Sequence, residues 1–236
     1  MQDLGEEINP SRILVVDDHP LMRKGFVFVL SSQPDMEVVG EAADGLEALK
    51  LCQRLRPDLV LMDLSMPMMD GIDATREMKE CCPKTIVLVV TAHEDEGLML
   101  RAIKAGAVGY VLKGSEPAYL IGSVREALEG ESPMDQRLAG RLLRRLAIEG
   151  VSPDERPERE SPPVSPAVTL PPRELEVLEH LVAGKTNRRI AQELHISLST
   201  VKRYLERITS KLGVSDRTQA AVKAIELGLL PERREG

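Results

Sequence analysis

The sequence predicts a doubly wound, five-stranded parallel α/β sheet followed by a small all-α module. Three observations predict it. Between residues 12 and 130, short apolar runs alternate with helical patterns, as in repeated strand–helix units. The runs lack polar alternation, as expected of strands buried on both faces. Beyond a proline-rich stretch, residues 167–230 hold four short helical patterns.

Arg12–Val16 reads as the first strand and ends in Asp17-Asp18. A helix follows Pro20, with Leu21, Phe26 and Leu30 among its apolar positions. Met36–Gly40 is a second strand. Asp44 caps a helix reaching Leu55, with Leu46, Leu49 and Leu51 on it. Leu59–Met62 is the third strand; it breaks at Asp63, before a turn with Pro67, Asp70 and Gly71. A helix over about 71–81 comes next, then the strand Ile86–Val90. A helix with Leu98, Leu100 and Ile103 stops near Gly106. Ala107–Leu112 is the fifth strand and Ala118–Leu128 the last helix of the unit.

Residues 131–166 differ in composition and read as a linker. Its first part, about 135–149, carries a helical stripe of Leu138, Leu142 and Leu146; its second part is rich in proline and charge. Such a segment buries too little apolar surface to fold alone. The stripe packs on its own sheet domain or pairs with its counterpart in a dimer; both readings stay open.

Composition narrows the function classes. Of 236 residues, 42% are hydrophobic, enough for ordinary cores, yet Trp is absent and 2% are aromatic. Aliphatic cores follow, and modules that stack RNA bases on exposed aromatics are disfavoured. No apolar run approaches a membrane span, and the acidic, polar start does not look like a signal peptide. A cytoplasmic protein is expected. Cys52, Cys81 and Cys82 lack metal-ligand spacing. The net charge of −7 is uneven: residues 167–230 hold 10 Lys+Arg against 7 Asp+Glu, a net of +3, which leaves −10 for residues 1–166. Two modules with different partners are implied.

In a parallel sheet ordered 2-1-3-4-5, strands one and three are neighbours at the switch point, where such folds bind ligands. Asp17, Asp18 and Asp63 then share one edge. Three carboxylates repel one another unless a cation joins them, and oxygen-only ligation suits Mg²⁺. Lys113 and Thr91 end the neighbouring strands. A metal, a carboxylate nucleophile and a cation for equatorial oxygens are the parts of phosphoryl transfer.

With the acid pair, Asp63 inside MDLSMPMMDG, Thr91-Ala92, and Lys113 after Tyr110, residues 12–130 resemble a response-regulator receiver domain, a flavodoxin-like fold. The resemblance implies phosphorylation at Asp63 by a sensor histidine kinase. It implies metal ligation by Asp18, Asp63 and the Ser65 carbonyl, with Asp17 behind them, for Mg²⁺ or Mn²⁺. Lys113 would pair with the phosphoryl group; Thr91 and Tyr110 would be the switch pair, beside Ala92. Ser65 and His93 match positions that tune dephosphorylation, so a non-enzyme with slow autophosphatase activity is implied. Gly114 departs from the proline common after the lysine.

In the C-terminal module, Arg173–Ala183 is a helix. Thr186 caps a second to Leu194, and a turn at His195-Ile196 leads to a third, capped by Ser197 and stopped by Gly213. The last runs over about 217–227. On the third, Val201, Leu205, Ile208 and Leu212 share one face; Ser199, Lys202, Arg203, Glu206, Arg207 and Ser210 take the other. Two helices joined by a short turn, the second polar outside, suit the major groove of DNA. Residues 169–229 resemble the LuxR/NarL-type helix-turn-helix. DNA contacts are implied for Thr186, Asn187, Ser199, Thr200, Lys202, Arg203, Glu206 and Arg207. A homodimer on a two-fold DNA site, through Ala221, Ile225 and Leu229, is implied as well. Tyr204 replaces a frequent histidine, and Glu206 a frequent base.

The resulting expectation is a two-component response regulator and transcription factor. Two rivals are a constitutive DNA-binding regulator with a structural receiver and an Mg²⁺-dependent phosphatase with an aspartyl nucleophile. The second lacks any insertion able to form a substrate lid.

Overall fold

The computed structural model of the chain describes residues 9–134, 170–214 and 216–230. The chain divides into two compact units, Met1–Asp135 and Gln136–Gly236. The linker stripe at about 135–149 and the proline-rich segment after it lie outside the described residues.

Among the described residues of the first unit five strands alternate with five helices. They are β1 (Ser11–Val16), α1 (Pro20–Ser31), β2 (Met36–Ala42), α2 (Gly45–Leu55), β3 (Leu59–Met62), α3 (Gly71–Cys81), β4 (Ile86–Thr91), α4 (Glu96–Ala105), β5 (Gly109–Leu112) and α5 (Pro117–Leu128). The sheet is parallel throughout, ordered β2-β1-β3-β4-β5. β2 runs two residues past its expected end, because Glu41 and Ala42 pair with Val15 and Val16. β5 begins at Gly109, two residues later than expected.

Successive side chains of a strand point to opposite faces, and both faces are covered here. Ile13, Val15, Leu59, Leu61, Leu88 and Val90 pack with Phe26 and Leu30 of α1 and with Leu120 and Val124 of α5. Leu14, Val16, Val60, Met62 and Val87 pack on the other face with Ala48, Cys52, Ala74 and Met78 of α2 and α3. This two-sided burial explains the unbroken apolar runs. Cys52, Cys81 and Cys82 are free thiols. Burial, with Cys52 and Cys81 adding, pushes the Cys82 thiol up to about 12.

The apolar positions of the helices divide between core and surface. Of the apolar positions named in α1, Phe26 and Leu30 are buried, whereas Leu21 is 85% exposed, and Phe28 one face-repeat later is 78% exposed. Leu46 is exposed as well, while Ala48 and Cys52 are the buried positions of α2. In α4 the core positions are Met99, Ala102 and Ile103, with Leu98 and Leu100 half-buried beside them. The buried positions recur at i, i+3 or i+4 in each helix, and in α2 small residues, Ala48 and Cys52, take the inward places.

The second unit is helical in its described residues: α6 (Pro172–Val182), α7 (Asn187–Glu193), α8 (Leu198–Leu212) and α9 (Arg217–Glu226). Its core joins Val177, Leu178 and Leu181 of α6, Ile190 of α7, Val201, Leu205, Ile208 and Leu212 of α8, and Ala220 and Ala224 of α9. Thr186, Ser197 and Asp216 each accept a main-chain N–H as N-caps. The turn between α7 and α8 places His195 in the left-handed region, φ 54°.

Candidate phosphoacceptor pocket and DNA-reading face

Register puts the acids together. Val16 pairs with Met62 across β1 and β3, so the next residues, Asp17 and Asp63, emerge side by side, and Asp63 N–H donates to the Val16 carbonyl at 2.9 Å. Lys113 arrives just past β5, its N–H donating to the Thr91 carbonyl at 2.9 Å. Its ammonium lies 2.7 Å from Asp17 Oδ2 and 2.8 Å from Asp63 Oδ2. Asp63 Oδ1 accepts the Leu64 N–H at 2.8 Å.

The close approach of the β3–α3 loop depends on Gly71. Its N–H donates to the Leu64 carbonyl at 2.9 Å, and a Cβ there would run into the Asp63 carbonyl. Asp70 caps α3 by accepting the N–H groups of Ile72 and Asp73.

Burial pushes the Asp63 carboxyl above its ordinary value; the Lys113 ammonium opposes that rise and the Asp17 charge adds to it. For Lys113, burial works against the charge, but hydrogen bonds to Asp17 and Asp63 outweigh it and hold the ammonium above its ordinary value.

Asp18 sits nearer the rim, its Oδ1 3.0 Å from His19 Nδ1. Asp17, Asp18 and His19 bring ligand atoms within 4.8 Å of one another. His19 was not singled out in the sequence; its position directly after the acid pair was the available signal. Asp17 Oδ2 is buried and makes no hydrogen bond of good geometry beyond its ion pair with Lys113. A buried oxygen of this kind, beside further carboxylates, fits a hard divalent cation.

The switch candidates converge on one loop. Thr91 is fully buried and its Oγ1 accepts the His93 N–H at 3.3 Å. Tyr110 is also fully buried, and its hydroxyl donates to the His93 carbonyl at 2.9 Å. Burial, with Asp95 and Asp63 adding, pushes its phenol well above the ordinary value. His93 Nε2 and Ser65 Oγ stand 2.9 Å apart, both exposed. Ala92 is exposed between Thr91 and His93. The Lys113–Gly114 bond is not cis.

In the second unit, Lys202, Arg203, Glu206 and Arg207 are exposed on the face of α8 opposite Val201, Leu205 and Ile208. Ser197 Oγ holds both Ser199 Oγ, at 2.8 Å, and Thr200 Oγ1, at 2.7 Å, at the helix start. Thr186 is exposed at the start of α7.

Asn187 requires a correction. Its side chain is not on the reading face: the residue is 1% exposed, and its Oδ1 accepts from Arg217 Nη1 at 2.8 Å. Arg217 Nη2 donates to the Lys185 carbonyl at 2.7 Å. The first residue of α9 thus holds the first residue of α7. Sequence gave no sign of this, since the partners are 30 residues apart. Arg217→Met removes both bonds from a buried site, and is expected to lower the stability of the second unit by roughly 2–4 kcal/mol, read from urea denaturation of the full chain. Another missed tie is Lys211 to the buried Glu174, at 2.7 Å.

Of the expected pairing residues, Ala221 and Leu229 are half-buried and pack partly on the unit's own core. Ile225 is half-buried too.

No described helix is long and apolar enough to cross a membrane. Residues 13–125 match the response regulator receiver domain, and residues 168–224 match the bacterial regulatory proteins of the luxR family. The chain is 41% identical over 213 residues to the transcriptional regulatory protein LiaR of Bacillus subtilis, covering 90% of this chain and 96% of that one. It is 36% identical to the response regulator protein VraR of Staphylococcus aureus, covering 93% and 98%. Among solved structures, a LuxR-family two-component response regulator from Aurantimonas aligns with a TM-score of 0.55 and 37% identity, over 58% of this chain and 98% of that one. The RcsB response regulator of Salmonella typhimurium aligns at 0.54 and 25% identity, over 90% and 97%. With a receiver match over its acidic pocket, a luxR match over its reading helix and relatives alike along nearly their whole length, the chain belongs to the LuxR-type two-component response regulators, transcription regulators with a DNA-binding helix-turn-helix.

Proposed function

We propose that Asp63 accepts a phosphoryl group from the phosphohistidine of a sensor histidine kinase in the cytoplasm, and that this charge controls homodimeric binding to a two-fold DNA site. The observation that carries the reading is the Lys113 ammonium, held 2.7 and 2.8 Å from the carboxylates of Asp17 and Asp63. An Asp63 oxygen attacks phosphorus, the P–N bond breaks, and the departing imidazole keeps the electron pair. Lys113 then pairs with the phosphoryl oxygens, and the Thr91 hydroxyl turns its proton toward them. Asp17, Asp18, Asp63 and the Ser65 carbonyl would hold Mg²⁺, with Mn²⁺ able to use the same oxygens. Bound there, the ion supplies positive charge that offsets the crowding of acids and phosphoryl oxygens. Ser65 and His93 flank the approach of water, and slow hydrolysis of the acyl phosphate resets the protein.

The test is DNA binding by the full chain, with and without acetyl phosphate and Mg²⁺, against genomic fragments. Tighter binding after phosphorylation is expected. Equal affinity in both states would favour a constitutive regulator with a structural receiver.

On the DNA side, Lys202 is assigned to phosphate and Arg203 to a base edge. Lys202→Ala should weaken binding to all sequences alike and flatten the salt dependence by about one unit of slope. Arg203→Ala should cost about 1–3 kcal/mol and relax the preference at one base pair. Uniform losses across all sequences for Arg203→Ala would remove it from the base-reading set.

A further inference from the structure

β5 is the last strand of the sheet, so its outer edge would be left with unpaired main-chain groups. The chain covers that edge itself. After α5, Gly130 turns at φ 83° and the Glu131 N–H donates to the Glu126 carbonyl at 2.9 Å. The following residues then run along β5. The Tyr110 N–H donates to the Pro133 carbonyl at 2.9 Å, and Tyr110 forms a parallel bridge with Met134. Pro133 is buried. By composition these residues read as the start of the linker.

The fit is close. A Cβ at Gly109 would stand 2.5 Å from the Pro133 carbonyl oxygen and 2.8 Å from its Cγ, so only glycine at 109 allows this approach. Tyr110 is therefore held at both ends. Its hydroxyl bonds His93, in the loop beside Thr91. Its main chain bonds Pro133, at the start of the linker.

We propose that the edge of β5 is a docking surface for the linker root, with Gly109 and Pro133 as positioning residues. They convert a change at the Thr91–His93 loop into a change in how the chain leaves the receiver. The inference rests on the phosphoacceptor reading of Asp63 and adds the route out of that site. A static spacer after α5 would need neither a bond to the main chain of Tyr110 nor the close approach of Pro133 to Gly109.

The test compares the full chain with its Gly109→Ala variant. Asp63 phosphorylation from acetyl phosphate, read by intact mass, should proceed in both. In wild type, phosphorylation should change DNA affinity by about 5-fold or more, the low end of ordinary allosteric coupling. In Gly109→Ala the ratio between the two states should fall toward one. A variant that is phosphorylated and keeps the full ratio overturns the proposal. Should the variant fail to fold, hydrogen exchange of the wild-type Tyr110 amide decides. Exchange that differs by about 5-fold or more between the two states supports the proposal, and equal exchange overturns it. Wild type that gains no phosphoryl group at all overturns the phosphoacceptor reading, and this one with it.

Discussion

Asp63→Asn protein, given Mg²⁺ and acetyl phosphate, is expected to gain no acid-labile phosphoryl mass and to show no phosphodonor effect on DNA binding. The amide removes the nucleophile while conserving shape, so the loss should be complete. Wild type should gain one phosphoryl group under the same conditions. A gain in the Asn variant equal to that of wild type would sink Asp63 as the acceptor. The same variant carries a pH signature in metal-free buffer. Burial first, with Asp17 adding and Lys113 opposing, raises the folded Asp63 carboxyl above the ordinary 3.8. Between 3.8 and that raised value the folded chain binds more protons here than the unfolded chain. This group's contribution to stability therefore falls as pH rises through the window, and grows as pH drops through it. Urea denaturation across mildly acidic pH should show a slope in wild type that is flatter in Asp63→Asn. Parallel slopes would mean that the carboxyl is not desolvated.

Lys113→Met should cost about 3–5 kcal/mol of receiver stability at neutral pH, the range for breaking a buried ion pair from one side. The side chains are well removed from water: Asp17 is 1%, Asp63 4% and Lys113 13% exposed. Without the ammonium, two buried carboxylates face each other with no counter-charge. The deficit should shrink as pH falls, because Asp63 then takes up a proton more readily. Mg²⁺ should stabilise this variant more than wild type, since in wild type the ammonium already supplies positive charge. A loss below about 1 kcal/mol, the scale of exposed pairs, would show that water screens the pocket.

Much of this was legible because both sheet faces are covered. Two-sided burial turns a strand into an unbroken apolar run, which is how Leu59–Met62 and Ile86–Val90 stood out. A charged residue ending such a run has few places to go, so Asp17, Asp63 and Lys113 could be gathered at one edge before any coordinates. The helical faces were less legible. Leucines draw the eye, yet Leu21 and Leu46 face solvent while Ala48 and Cys52 fill the interior. Asn187 is expected as a DNA contact only through the resemblance to the helix-turn-helix family. Only its partner Arg217, distant in sequence, reveals that its side chain points inward. The pairing of Pro133 and Met134 with Tyr110 is a main-chain matter, and Ser132-Pro133 reads as linker on any scale of side-chain preference.

The strut from Arg217 to Asn187 and Lys185 bears on how tightly a groove can be gripped. It fixes where α7 begins before nucleic acid arrives, so less motion is frozen out on docking. Contacts made by the exposed basic side chains of α8 can then appear as affinity, and a weakened strut would show itself first as slower, looser capture of every sequence alike.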